Sequence, residues 1–442
     1  MTKKLLLIPL VIILVVAVIF GGCKPAEEVT DEILIGFTAP ETGPAAGFGQ
    51  GNVFGFEAAI DDINNLGGIY VEEYGKKLPV RVIVLNNESN PEKAGVLAED
   101  LVLRDKVQFL SNAGPLDFDP PTAVVAERYK IPNMSGPGPY EAWQGVRASV
   151  EPMWEYTYMI AFAIAVPPGP GDFRYEKPGY TMFEVWAGAL DEILPQTNKK
   201  IALLASSDPD GTGWYQAFAP AATDFGCEPY RADEGFGITP VDTTDFSPLI
   251  NEWKAADCEL FWCNCSAPFF GTCWRQCHTL GYQPKQVFAS RAGLFYTDIN
   301  AWGGDLPQAI CNEMFWNPEI KEAVGIGGTT PKEFTERYIE ETGLPYHQVM
   351  GLPYSSAQVL FDAIERAGTL DAEAVLQALS ETDLMTMWHR VAFDEDKFSR
   401  QPCYFGQWQK TDKPWVWDNP VVFSQHDFLP ATAEIIFPIP YD

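Results

Sequence analysis

The stretch that decides the fold runs from residue 33 to residue 69 and reads ILIGFTAPETGPAAGFGQGNVFGFEAAIDDINNLGGI. Its first residues predict a short apolar strand, and a loop rich in glycine and proline follows from Ala39 to Gly51. Apolar residues then recur at helical spacing from Val53 to Leu66, and Gly67-Gly68 ends the predicted helix. This order of strand, loop and helix predicts the start of a βαβ unit.

The alternation of strands and helices continues through the rest of the chain. Predicted strands follow at 80–85, 107–110, 131–134, 201–205 and 259–263, and predicted helices at 90–105, 122–130, 214–225, 247–256, 331–342 and 354–367. This alternation predicts an α/β fold whose parallel sheets are built from right-handed βαβ units. Such sheets bind ligands at the carboxyl ends of their strands. With 442 residues, the chain is long enough for two of them.

The composition limits the partners that the protein can have. Hydrophobic residues make up 46% of the chain, which excludes a mainly disordered protein. The 60 Asp and Glu residues outnumber the 30 Lys and Arg residues, so the formal net charge is −30. Because a phosphate backbone would repel such a surface, we expect no nucleic-acid partner.

The first 23 residues predict export. Lys3 and Lys4 precede an apolar run from Leu5 to Phe20, and Gly21-Gly22-Cys23 follows, which is the pattern of a secretory signal. A cysteine directly after two glycines is similar to a bacterial lipobox. We therefore predict that residues 1–22 are removed, that Cys23 is lipidated and that residues 23–30 form a tether. These predictions place the protein in the cell envelope, at the outer face of the cytoplasmic membrane or in the periplasm. An uncleaved anchor is the alternative, for which sixteen apolar residues are short.

Eight further cysteines follow Cys23, and five of them fall between residues 258 and 277. Cys263 and Cys265 lie on one face of a predicted strand, and Cys273 and Cys277 lie on one face of a predicted helix. A zinc knuckle usually has Cys-x-x-Cys spacing, which these cysteines lack. Disulfides, buried free thiols and metal ligands all remain open.

Several stretches of the sequence, taken in order, resemble the type I periplasmic binding proteins. They lie at 35–44, 64–69, 89–94, 113–115, 243–247 and 391–394. More narrowly, they resemble the group that binds branched-chain amino acids and serves ABC importers. The resemblance implies two Rossmann-like lobes that are joined by three crossovers and close on a ligand. It divides the chain into an N-terminal lobe of residues 31–147 and 318–386 and a C-terminal lobe of residues 148–317 and 387–442.

Three ligand loops implied by the resemblance depart from the amino-acid-binding relatives. Asp117 and Phe118 stand where serines usually contact the ligand carboxylate. The next loop, which usually supplies Ser and Thr, keeps only Ser135, followed by Gly136. In the second lobe, Asp210 stands where a tyrosine is usual.

Arg291 stands where an acidic residue of the relatives pairs with the ligand ammonium. An arginine in that place predicts a preference for a carboxylate, which a guanidinium binds bidentately. However, Asp117 and Asp210 would oppose an anion in the same cleft. A structural salt bridge is the alternative role for Arg291.

Aromatic residues lie near the same loops. Trp214 opens a predicted helix, and Phe315 and Trp316 lie near the second crossover. Such rings provide flat apolar walls for a ligand, although each ring alone fits core packing equally well. Together with Arg291 they predict a small organic ligand, either an amino acid or a carboxylate, with an aromatic acid as one candidate.

No catalytic motif accompanies these residues. The sequence contains neither a phosphate-binding G-x-x-x-x-G-K-[ST] loop, nor a G-x-S-x-G elbow, nor an H-E-x-x-H helix. We therefore predict a solute-binding lipoprotein, without a cofactor or a metal, that delivers its ligand to an ABC permease. The alternatives are a ligand-sensing ectodomain on the same fold and, with less support, a hydrolase.

Overall fold

The computed structural model describes residues 31–441 of the chain. The predicted signal at residues 1–22, the lipidation site at Cys23 and the whole tether at residues 23–30 precede this range, and none of them is among the described residues. Within the described range, no helix has both the length and the apolar character that a membrane span requires.

The described residues form strands that alternate with helices. The helices are α1 (Ala46–Asn65), α2 (Pro91–Leu103), α3 (Asp119–Tyr129), α4 (Tyr140–Ala148), α5 (Met182–Leu190), α6 (Pro209–Asp224), α7 (Ser247–Ala255), α8 (Ala267–Leu280), α9 (Tyr296–Asn300), α10 (Pro331–Thr342), α11 (Gly351–Ala367) and α12 (Ala372–Ser380). The strands are β1 (Ile33–Ala39), β2 (Ile69–Val71), β3 (Lys76–Leu78), β4 (Val80–Asn86), β5 (Phe109–Asn112), β6 (Asn133–Ser135), β7 (Thr157–Ala161), β8 (Lys200–Ser206), β9 (Glu228–Pro229), β10 (Ile238–Thr239), β11 (Leu260–Asn264), β12 (Gln286–Ala289), β13 (Cys311–Met314), β14 (Asp383–Met385), β15 (Arg390–Ala392), β16 (Phe398–Arg400), β17 (Tyr404–Gln407), β18 (Gln409–Lys410), β19 (Trp417–Asp418) and β20 (Val421–Phe423).

Two separate sheets define two lobes. The sheet of lobe 1 has the strand order β16-β7-β6-β5-β1-β4, and all of its neighbouring strands are parallel. The sheet of lobe 2 has the order β10-β8-β11-β12-β13-β17-β20, with β9 beside β8, and only β17 and β20 run antiparallel to their neighbours. The predicted α/β fold with two lobes built on mainly parallel sheets is confirmed.

The helix α1 begins seven residues earlier than the predicted start at Val53, so that Gly47, Gly49 and Gly51 lie inside it. The predicted loop of residues 39–51 therefore extends too far. These glycines lie in the helix, where close packing against neighbouring residues requires them. A Cβ atom on Gly49 would lie 2.3 Å from the carbonyl oxygen of Pro40, and one on Gly51 would lie 2.1 Å from Nδ1 of His347. Glycine lets the first turns of the helix approach these neighbours.

The predicted lobe boundaries at residues 147 and 387 are wrong for two strands. The predicted division assigns β7 and β16 to the C-terminal lobe, but β7 pairs with β6 and β16 pairs with β7 in the sheet of lobe 1. The chain therefore passes to lobe 2 after Ala161 and again between Arg400 and Tyr404, and it returns to lobe 1 after Met314. The turn before β7 gives no sequence signal that the chain stays in the same sheet.

The eight cysteines of the described residues are buried free thiols. Burial in the core of lobe 2 raises the pKa of Cys263 and Cys273 well above the usual thiol range, and hydrogen bonds with Cys265 and Cys277 act in the same direction. Nowhere in residues 31–441 do three or more Cys, His, Asp or Glu side chains come together as a metal site would require. The structure thus favours the buried-thiol alternative for this cluster.

We predict that a chain beginning at Lys24 contains eight thiols that react only after unfolding. In the native state, burial and the raised pKa values keep the thiolate fraction small, so reaction with a thiol reagent should be slow. Titration in denaturant without a reductant should then give eight thiols, and a reductant should leave the melting temperature unchanged. A deficit of two thiols in denaturant would instead reveal a disulfide.

Candidate ligand-binding site

A cavity of about 290 Å³, which we call the main cavity, lies between the two lobes. Lobe 1 contributes the segments that follow β5, β6 and β7. Lobe 2 contributes the first turns of α6 and the ends of β11, β12 and β13. Because parallel sheets bind ligands at the carboxyl ends of their strands, this cavity is the candidate ligand-binding site.

Apart from Glu141, the lobe 1 wall of the main cavity is apolar. Pro115, Pro137 and Pro139 line it together with Leu116 and Phe48. Proline has no backbone N–H, so three positions of these loops cannot donate a hydrogen bond to a ligand. This wall therefore contributes shape rather than polar contacts.

Two stacked pairs of aromatic rings line the main cavity. The ring centroids of Trp214 and Phe218 lie 4.6 Å apart, and those of Phe162 and Phe315 lie 4.4 Å apart. Phe162 follows β7 and Phe315 follows β13, so the second pair lies where the chain passes between the lobes. These rings present flat apolar surface to the cavity, as the sequence predicts for Trp214.

Arg291 lines the main cavity, but both terminal nitrogens of its guanidinium are already paired. One terminal nitrogen, Nη1, lies 2.9 Å from Oδ2 of Asp210. The other, Nη2, donates to Oδ2 of Asp208 at 2.8 Å and to the hydroxyl of Ser206 at 2.9 Å. These contacts are the structural salt bridge that the sequence left open. They conflict with a bidentate ligand carboxylate, because both terminal nitrogens have acidic partners.

Glu313, which the sequence analysis missed, lies beside Arg291 in the main cavity. Its Oε1 accepts the backbone N–H of Arg291 at 3.0 Å, and its Oε2 accepts the hydroxyl of Ser290 at 2.7 Å. Burial raises the pKa of Glu313 to about 7 despite these two hydrogen bonds. The sequence signal that could have identified Glu313 is an acidic residue near the end of the buried strand β13.

Asp117 and Phe118 line a second space of about 360 Å³, the side cavity. It shares Phe48, Pro115 and Arg291 with the main cavity, so the two spaces adjoin. Burial, together with the charges of nearby aspartates on lobe 2, raises the pKa of Asp117 to about 6. The predicted pair therefore lies in the cleft but not against the main cavity.

Ser135 and Gly136 are buried behind the lobe 1 wall and line neither cavity. The hydroxyl of Ser135 lies 3.5 Å from Oδ1 of Asn112. A Cβ atom on Gly136 would lie 3.0 Å from the carbonyl oxygen of Asn112. The structure thus places these two residues in the packing that supports the cleft.

Trp316 lies in the core, with no exposed surface. Its Nε1 donates to the carbonyl oxygen of Met387 at 2.9 Å, and its ring packs edge-on against Phe334. The neighbouring Phe315 lines the main cavity instead. Side chains of adjacent residues at the end of a strand point to opposite sides, which sequence spacing alone did not resolve here.

Comparison with known proteins gives matches along most of the chain. A family model described as periplasmic binding protein matches residues 32–413. The Leu/Ile/Val-binding protein homolog 3 of Brucella melitensis is 26% identical over 360 residues, which cover 79% of this chain and 83% of that protein.

Solved structures show the same fold at lower identity. The branched-chain amino acid transporter substrate-binding protein LivJ of Streptococcus pneumoniae, in complex with isoleucine, has a TM-score of 0.67 and 17% identity, covering 88% of this chain and all of that chain. A solute-binding protein of an ABC transporter from Rhodopseudomonas palustris, in complex with a dihydroxybenzoic acid, has a TM-score of 0.66 and 19% identity, covering 90% of this chain and 98% of that chain.

We predict that Arg291→Met lowers the free energy of unfolding by about 3–5 kcal/mol at neutral pH, because it leaves the mostly buried Asp208 and Asp210 without their cation. Although burial raises the pKa of Asp208, the charge of Arg291 and its hydrogen bond bring it below the usual value. Asp208 therefore contributes stability above its unfolded-state pKa, and that contribution is lost as the pH falls. The deficit of the variant should shrink in acid.

Urea unfolding measures this effect. The triple variant Asp208→Asn/Asp210→Asn/Arg291→Met should recover most of the lost stability, since no charge is left unpaired. The exposed pair of Arg81 and Glu32, whose charged atoms lie 2.8 Å apart, provides the control. There, Arg81→Met should cost less than about 1 kcal/mol. Equal losses at the two sites would contradict the structural role of Arg291.

Proposed function

This chain belongs to the periplasmic binding protein family, in its type I group with two α/β lobes. On that premise we propose that it captures a small organic solute between its lobes and delivers it to the permease of an ABC importer. The observation that carries the proposal is the main cavity. It is a mostly apolar space lined by residues of both lobes, so a ligand within it would contact both. A ligand that contacts both lobes stabilises the closed arrangement over an open one.

The size and lining of the main cavity favour a compact ligand with an apolar body. The stacked rings of Trp214 and Phe218 offer flat surface, and the volume of about 290 Å³ suits a molecule of amino-acid size. Proteins of this fold hold isoleucine in one solved structure and a dihydroxybenzoic acid in another, which supports a solute of this size. We assign ligand contacts in the main cavity to Trp214 and Asp210, with Arg291 holding the carboxylate of Asp210 in place.

The competing functions have less support. The matching proteins are named as binding proteins, so we set the hydrolase alternative aside. A ligand-sensing ectodomain would use the same cavity, but no contact in the described residues favours it over delivery to a permease.

We predict that Gly213→Leu abolishes ligand binding and leaves the fold intact. Gly213 lines the main cavity, and a Cβ atom there meets no atom within 4 Å, so the longer side chain would extend into the ligand's space. The measurement is a thermal-shift panel of branched-chain and aromatic amino acids, amines and carboxylates on a chain beginning at Lys24. A ligand at a hundred times its dissociation constant stabilises the wild type by about 3 kcal/mol.

The matched control is Gly145→Leu. Gly145 lies in α4, is exposed, and also has no atom within 4 Å of an added Cβ, but it lines neither cavity. This control should keep the full thermal shift. If the two variants responded alike, the ligand would bind elsewhere.

We also propose that Cys23 anchors the mature protein to the cell envelope through a lipid. Metabolic labelling with a fatty acid should mark the wild type and should not mark Cys23→Ser, because the acyl chains attach to the cysteine that becomes the first residue. Cys227→Ser, which changes a buried core thiol, should be labelled normally. Label that persists in Cys23→Ser would contradict the anchor.

A further inference from the structure

We propose that the ligand of the main cavity is an organic cation, an amine on an apolar or aromatic body, and that it needs no carboxylate. This inference rests on the proposed function and specifies the ligand class of the same site. It departs from the amino acids and acids that the sequence predicts. The argument uses the charges, the donors and the acceptors of the cavity lining.

The charged side chains that line the main cavity carry a negative excess. The carboxylates of Glu141, Asp210 and Glu313 line it, against the single guanidinium of Arg291. That guanidinium is itself paired with Asp210 and with Asp208, which lies just outside the lining. A carboxylate ligand would add a further negative charge beside these acids, whereas a cation would be attracted to them.

Lobe 1 also lacks side-chain donors for a carboxylate. No residue of the lobe 1 lining carries a side-chain N–H or O–H group, and three of its positions are prolines. The first turn of α4 could offer backbone N–H groups to an anion, but Glu141 places an acidic side chain in that turn. The carboxylate of Glu141 accepts the backbone N–H groups of Ile164, Ala165 and Val166 at 2.9, 2.7 and 2.7 Å.

Acceptors suited to an ammonium group lie on lobe 2. Each carboxylate oxygen of Glu313 accepts one hydrogen bond from the protein and has a second lone pair free for a ligand N–H. Asn264, which is 4% exposed and lines the same cavity, has an Oδ1 without a hydrogen-bond partner. Trp214 and Phe315 add ring faces, which attract a cation. The Nε1 donor of Trp214 also lacks a partner, and it would suit a neutral oxygen on the ligand body.

The ionisation of Glu313 gives the inference a pH signature. The groups that face Glu313 are Arg291, Asp210, Cys263 and Cys403, and both thiols are neutral because burial raises their pKa values. Since burial raises the pKa of Glu313 to about 7, its carboxyl group is partly protonated at neutral pH before a ligand binds. A bound cation would hold this carboxylate ionised, so binding releases a proton. Affinity should therefore fall by up to about tenfold for each pH unit below 7 and level off above it.

Calorimetric titration of the full chain in a non-ionic detergent tests the inference. Two matched sets of probes share a body and differ in the polar end: phenethylamine, hydrocinnamate and phenylalanine, and isopentylamine, isocaproate and leucine. We expect an amine to bind at least tenfold more tightly than the carboxylate of its set, with the pH dependence given above. Tighter binding of carboxylates or amino acids would overturn the inference and leave the proposed function standing. Binding of none of the six would count against both.

A variant series separates a ligand contact from a structural role. Glu313→Gln keeps the shape and an acceptor for Ser290, so amine affinity should fall at least tenfold and its pH dependence should flatten. Glu127→Gln is the matched control, because Glu127 is a half-buried acid that accepts two backbone N–H groups away from the cavity. It should leave affinity within twofold. If Glu313→Gln does not fold, the pH profile of the wild type still decides, and a flat profile from pH 5 to pH 8 overturns the inference.

Discussion

The ion pairs of Arg291 with Asp208 and Asp210 determine what the cleft can bind. They join the turn after β12 to the first turn of α6, and they use both terminal nitrogens of the only guanidinium that residues 31–441 bring to the main cavity. Ion pairs between a mostly buried cation and two mostly buried acids are costly to break, which fixes this wall of lobe 2 in one arrangement. The same pairs leave Glu313 as the acid without an ionic partner beside them. The pairing of Arg291 therefore influences both the shape of the lobe 2 wall and the charge that is left for a ligand.

The two lobes contribute different properties to the site. Lobe 1 provides a wall of prolines and apolar side chains with one acid, Glu141, and lobe 2 provides the other charged groups and most of the hydrogen-bonding groups. Lobe 1 would thus select a ligand mainly by its size, and lobe 2 would select it mainly by its charge. This division differs from the pattern that the family resemblance predicts, in which the first lobe supplies hydroxyl groups at the positions of Asp117 and Ser135.

The fold could be predicted from the sequence because alternating strands and helices are a local pattern, repeated many times. The site could be predicted only in part. The position of Arg291 in the cleft followed from the family resemblance, but its partners lie more than 80 residues away and no local pattern identifies them. Trp316 was expected in the cleft and lies in the core, since the direction of a side chain at a strand end depends on packing. Glu313 was missed because one acid in a short buried strand has no motif around it.

The short connection between β16 and β17 limits how the lobes can move apart. Only residues 401–403 separate the last strand residue of lobe 1 from the first of lobe 2, and Gln401 and Cys403 have no exposed surface. Four residue steps of fully extended chain span roughly 14 Å, so the lobes cannot translate away from each other at this edge. Opening must instead be a rotation about an axis near these residues. The mouth opposite that axis would then travel furthest, and a solute would enter there.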